Sequence, residues 1–257
     1  MKDVDVDCRQ RYSRQIMLPG VGVEGQRKIG AASVFIVGAG GLGSAAAYYL
    51  CAAGVGKLGV ADPDQVELSN LQRQILHNTE RLGAAKAFSA AQTLRDLNPE
   101  VEVAPRRQRL TVENARELLD GYDLVVDCSD NFHTRHAVND ACVCARRPLI
   151  YGAVQGFQGQ AMTIVPGEGP CYRCLCPDPP APEEAPPGWQ RGVIGVLPGL
   201  IGLVQASEAL KLILGRGELL TGRLLLYDML AMEFSQVRVK RSAGCPACGM
   251  VKEVFKK

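Results

Sequence analysis

The stretch SVFIVGAGGLGS, residues 33–44, constrains this chain more than any other. SVFIV is a short β-branched run that ends on glycines, which predicts a buried strand over 33–37. Gly38, Gly40 and Gly43 follow in the spacing G-x-G-x-x-G, and SAAAYYLCAAG then reads as a helix stopped by Gly54. Strand, glycine turn and helix together make a phosphate site. Glycines let the backbone approach a phosphate, the helix N-terminus attracts its charge, and a later acid takes ribose hydroxyls. Asp62 lies 19 residues beyond Gly43, at the end of a second strand, LGVAD (58–62). The turn alone leaves the nucleotide open, because a nicotinamide cofactor satisfies it equally well.

The alternation continues. AAKAFSAAQTLRDLN reads as a helix stopped by Pro99, VEVAPRRQ as a strand, and TVENARELLDG as a helix with Thr111 as N-cap and Gly121 past its end. YDLVVDCSD is a third buried strand. Such alternation implies a Rossmann-like, doubly wound α/β fold with a mostly parallel sheet. From about residue 148 the pattern changes. LIYGAV and QGQAMTIVP read as consecutive strands, and RLLLYDMLAMEFSQVRV as one or two antiparallel strands, an antiparallel C-terminal extension. Between them CPDPPAPEEAPPGWQRG is too rich in proline for helix or central strand. It reads as an exposed crossover loop over 176–192, with an interdomain linker as the alternative.

The expected organisation is a single domain over 1–257. It comprises an N-terminal helical segment (1–30), a nucleotide-binding half (31–147) and a second half (148–257). Apolar residues make up 47%, enough for a sizeable core, and a net charge of +2 gives no reason to expect nucleic acid or an anionic membrane as partner. VIGVLPGLIGLV (193–204) is the most apolar stretch; it reads as a buried helix rather than a membrane span. MKDVDVDC is acidic and carries no secretory signal, so a cytoplasmic protein is expected.

DPDQVELSNLQRQ, residues 62–74, separates the nucleotide classes. A dehydrogenase has no need of an Asn, two Gln and an Arg in a polar loop here; a triphosphate does. Arg73 offers a planar fork for phosphate oxygens, and Lys86 follows as a compact charge at the start of a helix. Taken singly, either residue reads equally well as plain surface charge.

GAGGLGS, DPDQVELSNLQRQ, GAAKA and DCSDNFHTR, in this order, resemble the MoeB/ThiF/HesA family, relatives of the ubiquitin-activating enzymes. RYSRQIMLPGVGVEGQRKI (11–29) matches the family's opening segment and VLPGLIGLVQASEALKLILG (196–215) its late helix. The likeness spans nearly the whole chain and is nearest to the branch that activates the small subunit of molybdopterin synthase.

The resemblance implies an adenylyltransferase that uses ATP to adenylate the C-terminal glycine of a small ubiquitin-like sulfur carrier, MoaD-like, in molybdenum cofactor synthesis. A ThiS-like carrier for thiazole synthesis, or one serving tRNA or cysteine sulfur chemistry, is the nearest alternative. A nicotinamide-dependent oxidoreductase and a non-catalytic scaffold for a ubiquitin-like fold are alternatives of other classes. By similarity, Gly41 lies against the nucleotide and Asp62 binds ribose. Asn70, Arg73 and Lys86 hold the phosphates, Arg73 also counting as catalytic, Gln74 is a further nucleotide-binding residue, and Asp130 is the magnesium-binding and catalytic acid. Asp130 reads otherwise as a helix N-cap, a role that Asn131 or Ser129 would fill equally well. Arg14 resembles an arginine supplied to the neighbouring subunit's phosphates, with Arg11 as second candidate, which implies a homodimer. An ordinary surface ion pair is the plainer reading of Arg14.

The chain has ten cysteines. Cys171 and Cys174 form CYRC, and Cys245 and Cys248 form CPAC. Two C-x-x-C knuckles make the tetrahedral sulfur site that zinc prefers, and the resemblance implies a structural zinc. Redox-active C-x-x-C pairs are the alternative. Cys176 extends the first knuckle as a further ligand or a free thiol, while Cys8, Cys51, Cys128, Cys142 and Cys144 read as small buried hydrophobes. Many relatives carry a cysteine four residues before a Gly-Val pair in the crossover loop; here Gly188 stands four before Gly192. The expectation is a reaction that stops at the acyl adenylate. Sulfur then comes from a separate donor such as a cysteine desulfurase or a rhodanese, no rhodanese-like extension following residue 257. His77, His133 and His136 have no metal spacing and read as solvated or packed.

Overall fold

The computed structural model describes residues 10–179 and 192–249. Cys8, Gly188 and most of the expected crossover loop lie outside the described residues.

Eight strands form one sheet in the order β3-β2-β1-β4-β5-β6-β7-β8. They are β1 Ser33–Val37, β2 Lys57–Ala61, β3 Glu102–Arg106, β4 Leu124–Asp127, β5 Leu149–Gln155, β6 Gln158–Ile164, β7 Arg223–Asp228 and β8 Glu233–Arg238. β3 through β5 in that order pair parallel, and β5, β6, β7 and β8 pair antiparallel. The α/β class, the mostly parallel sheet and the antiparallel extension match the sequence reading. β2 ends at Ala61, one residue before Asp62, whose N–H still donates to Arg106 O of β3 at 3.1 Å.

The helices are α1 Ser13–Ile16, α2 Gly22–Ala31, α3 Gly41–Ala52, α4 Lys86–Leu97, α5 Ala115–Leu119, α6 Phe132–Cys144, α7 Tyr172–Leu175 and α8 Val196–Leu214. Period-2 alternation along β1 divides the core. Val34 and Ile36 face one cluster with Leu50, Leu94 and Ile201; Phe35 and Val37 face the other with Leu118, Val125 and Val138. Each such fully buried side chain stabilises the fold by about 1.5–3 kcal/mol relative to exposure.

Thr111 is not the cap of α5. Its own N–H donates to Asn114 Oδ1 at 2.8 Å, residues 112–114 form turns, and Asn114 is the N-cap residue. The Asn side chain competes for the backbone locally and shortens the helix. Gly121 does follow the helix with φ +75°.

α8 is long and apolar enough, by length and composition alone, to cross a membrane. Here it packs on α3 and the sheet. Gly202 lies so close to the Leu42 carbonyl that a Cβ would overlap it, and Leu197, Ile201, Gln205 and Glu208 are buried. Glu208 accepts from Leu220 N at 2.7 Å and from Thr163 Oγ1 at 2.5 Å and pairs with Lys211. A buried acid so fully partnered fits a core helix, as the sequence reading expected.

Candidate functional site

β1 and β4 are neighbours, yet the chain leaves them toward opposite flanks of the sheet, to α3 and β2 after β1 and to α6 and β5 after β4. Ligands of open α/β folds bind at such a switch point, outside the carboxyl ends of the strands. Gly38 follows β1 there with φ +96°, and a Cβ on it would sit 2.9 Å from the Cys128 carbonyl oxygen. A Cβ on Gly43 would overlap the carbonyl oxygen of Gly38, and one on Gly41 would sit 2.9 Å from Pro198. Only Gly40 of the four faces open space, its nearest neighbour being Gln74 Nε2 at 3.7 Å. Three glycines are therefore demanded by the protein's own packing, and Gly40 borders open space. Gly40 also precedes α3, whose first N–H groups face the same opening.

Asp62 is buried and braces this turn. Its Oδ2 accepts from Ala39 N at 2.8 Å and its Oδ1 from Asp64 N at 2.9 Å. Burial pushes its carboxyl above the usual range, and Lys86 and the two N–H groups oppose that rise. Lys86 opens α4, itself buried, with Nζ 3.4 Å from Asp64 Oδ2. Asn70 closes a 3₁₀ turn by accepting from Glu67 N at 3.1 Å, and Arg73 Nη1 donates to Ser69 O at 3.1 Å. Gln74 is buried beside Gly40 with its Oε1 unpartnered. Gly40, Gly41, Asp62, Arg73, Gln74 and Lys86 thus share one edge of the sheet.

Asp130 joins them from β4. Asp127 is buried, pushed up by that burial, and accepts from Ser129 N at 2.9 Å. Asp130 is exposed beyond it, and its Oδ1 accepts only weakly from Asn131 Nδ2 at 3.4 Å. Asn131 is the cap of α6, accepting from Thr134 N at 2.9 Å, so Asp130 is spared that duty. Arg135 is buried behind it and donates from Nη2 to Ser129 O at 3.0 Å.

Arg14 is not brought to this edge. It is exposed on α1, where Gln15 Nε2 donates to Ala53 O at 3.1 Å and Tyr12 packs on Gly54. Those anchors lie at the C-terminal end of α3, about 18 Å along the helix from the glycine turn. Arg11 is anchored near them, donating to Leu97 O at 3.2 Å.

Cys171, Cys174, Cys245 and Cys248 converge, with all four sulfur atoms within 4.8 Å of one another. Burial pushes the Cys171 thiol up. Burial acts likewise on Cys245, but N–H groups of Cys248 and Ala247 and the neighbouring thiols outweigh it and bring Cys245 down to about 7. Four sulfurs at this spacing fit a tetrahedral zinc. Cys176 stands apart, its thiol directed to Asp178 O at 3.3 Å. Cys51, Cys128 and Cys142 are buried as expected, whereas Cys144 is exposed at the end of α6.

Two buried polar residues, one of them read from sequence only as solvated or packed, tie elements together at this edge. His77 is buried, with Nε2 3.0 Å from Ala39 O and Nδ1 2.9 Å from Ser89 Oγ. Gln205 is buried on α8 and ties the end of β4 to the start of β5. Its polar side chain inside the apolar run of α8 was the signal. His133 is exposed, while His136 is buried against Tyr172 at 5.3 Å between ring centroids, as a packed histidine. A concavity of about 480 Å³ lies beside α6, lined by Arg109, Thr111, His133, His136, Asp140 and Arg173; apart from Asn131 it shares no residue with the loop around Asp130.

The sequence pattern of the ThiF family matches residues 12–247. Over 244 residues the chain is 52% identical to the sulfur carrier protein adenylyltransferase of Thermus thermophilus, an alignment covering 93% of this chain and 90% of that protein. It is 50% identical over 246 residues to the SAMP-activating enzyme E1 of Haloferax volcanii, covering 96% and 91%. Among solved structures, E. coli MccB with ATP superimposes with a TM-score of 0.80 at 24% identity, over 93% of this chain and 74% of that one; the likeness is one of fold. The expectation of an adenylyltransferase is met by these relatives. A match to nearly the whole chain, on a sheet that gathers the glycine turn, the polar loop and the Asp130 loop at one edge, establishes that the chain belongs to the ThiF family.

Proposed function

We propose that this chain uses ATP to adenylate the C-terminal glycine of a small ubiquitin-like sulfur carrier of the MoaD type, in molybdenum cofactor synthesis. The observation that carries the reading is the single opening at Gly40, faced by the N-terminus of α3 and shared by Arg73, Gln74 and Lys86 with Asp130 beyond. In the reaction a carrier carboxylate oxygen bonds to the α-phosphorus. The bond from that phosphorus to the bridging oxygen breaks, and pyrophosphate leaves with the electron pair. The chain's residues supply position and neutralising charge.

The Gly40 opening and the N–H groups of α3 cradle phosphate oxygens. Arg73 turns its free guanidinium nitrogens to them, and Lys86 exchanges Asp64 for a phosphate. Asp62 keeps the turn in shape while its outer lone pairs meet the ribose. Asp130, exposed and nearly unpartnered, is the hard oxygen ligand that would hold Mg²⁺, which when bound screens the polyphosphate charge. Cys171, Cys174, Cys245 and Cys248 would hold a structural Zn²⁺ with no open position. Arg14, placed away from its own glycine turn, serves the partner subunit of a homodimer. Residues 31–147 bind nucleotide and 148–257 the carrier, and sulfur arrives from a separate donor. The chain stops at the acyl adenylate.

ATP–pyrophosphate exchange with a panel of purified carriers tests this. Exchange dependent on a MoaD-type carrier is expected. Exchange with only a ThiS-type or tRNA-thiolation carrier overturns the choice of carrier, and exchange with none overturns the activity.

A further inference from the structure

The glycine turn and α4 belong to different βαβ units, yet both reach the same opening. One side chain joins them. His77 lies in the loop between them, 7% exposed, with one ring nitrogen on each element. Its Nε2 is 3.0 Å from the carbonyl oxygen of Ala39, inside the turn. Its Nδ1 is 2.9 Å from Ser89 Oγ, one helical turn beyond Lys86 on α4.

The bond directions follow from chemistry. A carbonyl only accepts, so Nε2 carries the proton and donates to Ala39. In the neutral ring Nδ1 then accepts the Ser89 hydroxyl proton. Arg81 Nη1 gives its hydrogens to the Ser89 carbonyl at 2.8 Å and to Thr93 Oγ1, and lies 3.5 Å from Ser89 Oγ. Arg81 thereby holds α4 beside His77. At the near end, the two peptide groups that flank Ala39 are each held. Asp62 takes its N–H at 2.8 Å and His77 meets its carbonyl. With the peptides before and after Ala39 both held, the turn keeps one orientation, and the N–H groups that follow it keep theirs.

We propose that His77 is a positioning residue: through Ala39 and Ser89 it locks the glycine turn to the helix that carries Lys86, so that both are preset for one polyphosphate. The inference rests on the nucleotide reading above and adds to it a residue that touches no substrate. Preorganisation of this kind lowers the cost of binding, so its loss falls on the nucleotide and spares the carrier.

The test compares wild type, His77→Leu, His77→Gln and Ser89→Ala in the zinc-loaded full chain. ATP affinity is measured by calorimetry, and KM for ATP and for the carrier by pyrophosphate exchange. His77→Leu is expected to weaken ATP binding and raise KM for ATP about tenfold, with KM for the carrier within about twofold. His77→Gln, which still offers an N–H toward Ala39, is expected to recover most of the loss. Ser89→Ala moves in the same direction by a smaller factor and carries the test if His77→Leu does not fold. ¹⁵N-labelled histidine should show the proton on Nε2. Unchanged ATP affinity in folded His77→Leu or Ser89→Ala overturns the inference alone, as does a parallel rise in both KM values without rescue by Gln. Wild type that binds no ATP overturns the nucleotide reading beneath it.

Discussion

Gln205 Nε2 donates to the main-chain carbonyl of Asp127 at 2.7 Å, across 78 positions of sequence. The same nitrogen donates to Ile150 O at 3.1 Å, and Gln205 Oε1 receives the Cys128 thiol at 3.4 Å. One amide on an apolar helix thus ties the end of β4, from which the Asp130 loop departs, to the start of β5. Replacing it by leucine strips two buried carbonyls of their donor. The expected loss is about 2–4 kcal/mol of unfolding free energy, measured by urea titration. A loss below about 0.5 kcal/mol would contradict this account.

Asp130→Asn removes a charge while leaving the cap of α6 to Asn131. Pyrophosphate exchange should fall about a hundredfold or more, with the unfolding midpoint unchanged within about 2 °C. Mixing Arg14→Ala with Asp130→Asn protein should restore part of the activity, because a mixed dimer keeps one site with both residues. Failure to recover any adenylation means that the partner's arginine is not shared.

The four converging sulfurs should retain about one zinc per chain through gel filtration, measured by mass spectrometry. Cys245→Ser should lose the metal and several degrees of thermal stability. Cys176→Ser should lose neither, since that thiol is directed to Asp178 O.

Burial holds the His77 and His136 imidazoles below their ordinary pKa of 6.5, with Lys86 and Arg81 beside the first and Arg173 beside the second acting in the same direction. A base whose folded pKa is lowered binds its proton more readily when unfolded. Stability present above about pH 6.5 is therefore lost as pH falls from there toward the folded pKa. Unfolding midpoints recorded between pH 7.5 and about 5 should fall through that window. The fall should be shallower in His77→Gln, and an equal slope in both proteins would refute the assignment to His77.

The sheet was legible because its signals are local. SVFIV and LVVD announce buried strands by composition, and Gly38, Gly54 and Gly121 mark chain reversals at positive φ. The residues at the opening were legible for the same reason, lying in short runs next to those strands. Thr111 misled because Asn114 reaches back to bond its N–H, a choice between two capping residues that the spacing leaves open. The bonds of His77 and Gln205 were not legible because their partners, Ala39 and Asp127, are distant in sequence, and no periodicity encodes which buried polar group meets which. Cys144 was misjudged because the last turn of α6 rotates it to the surface.

The backbone crowding at Gly38, Gly41 and Gly43 also bears on how this turn can be re-engineered. Side chains at those positions collide with the protein itself, whatever molecule sits outside. A combinatorial library spread evenly over the motif would mostly yield misfolded clones. Altered ligand preference is better sought in the walls around the opening, since a side chain at position 40 would itself fill the space that Gly40 leaves.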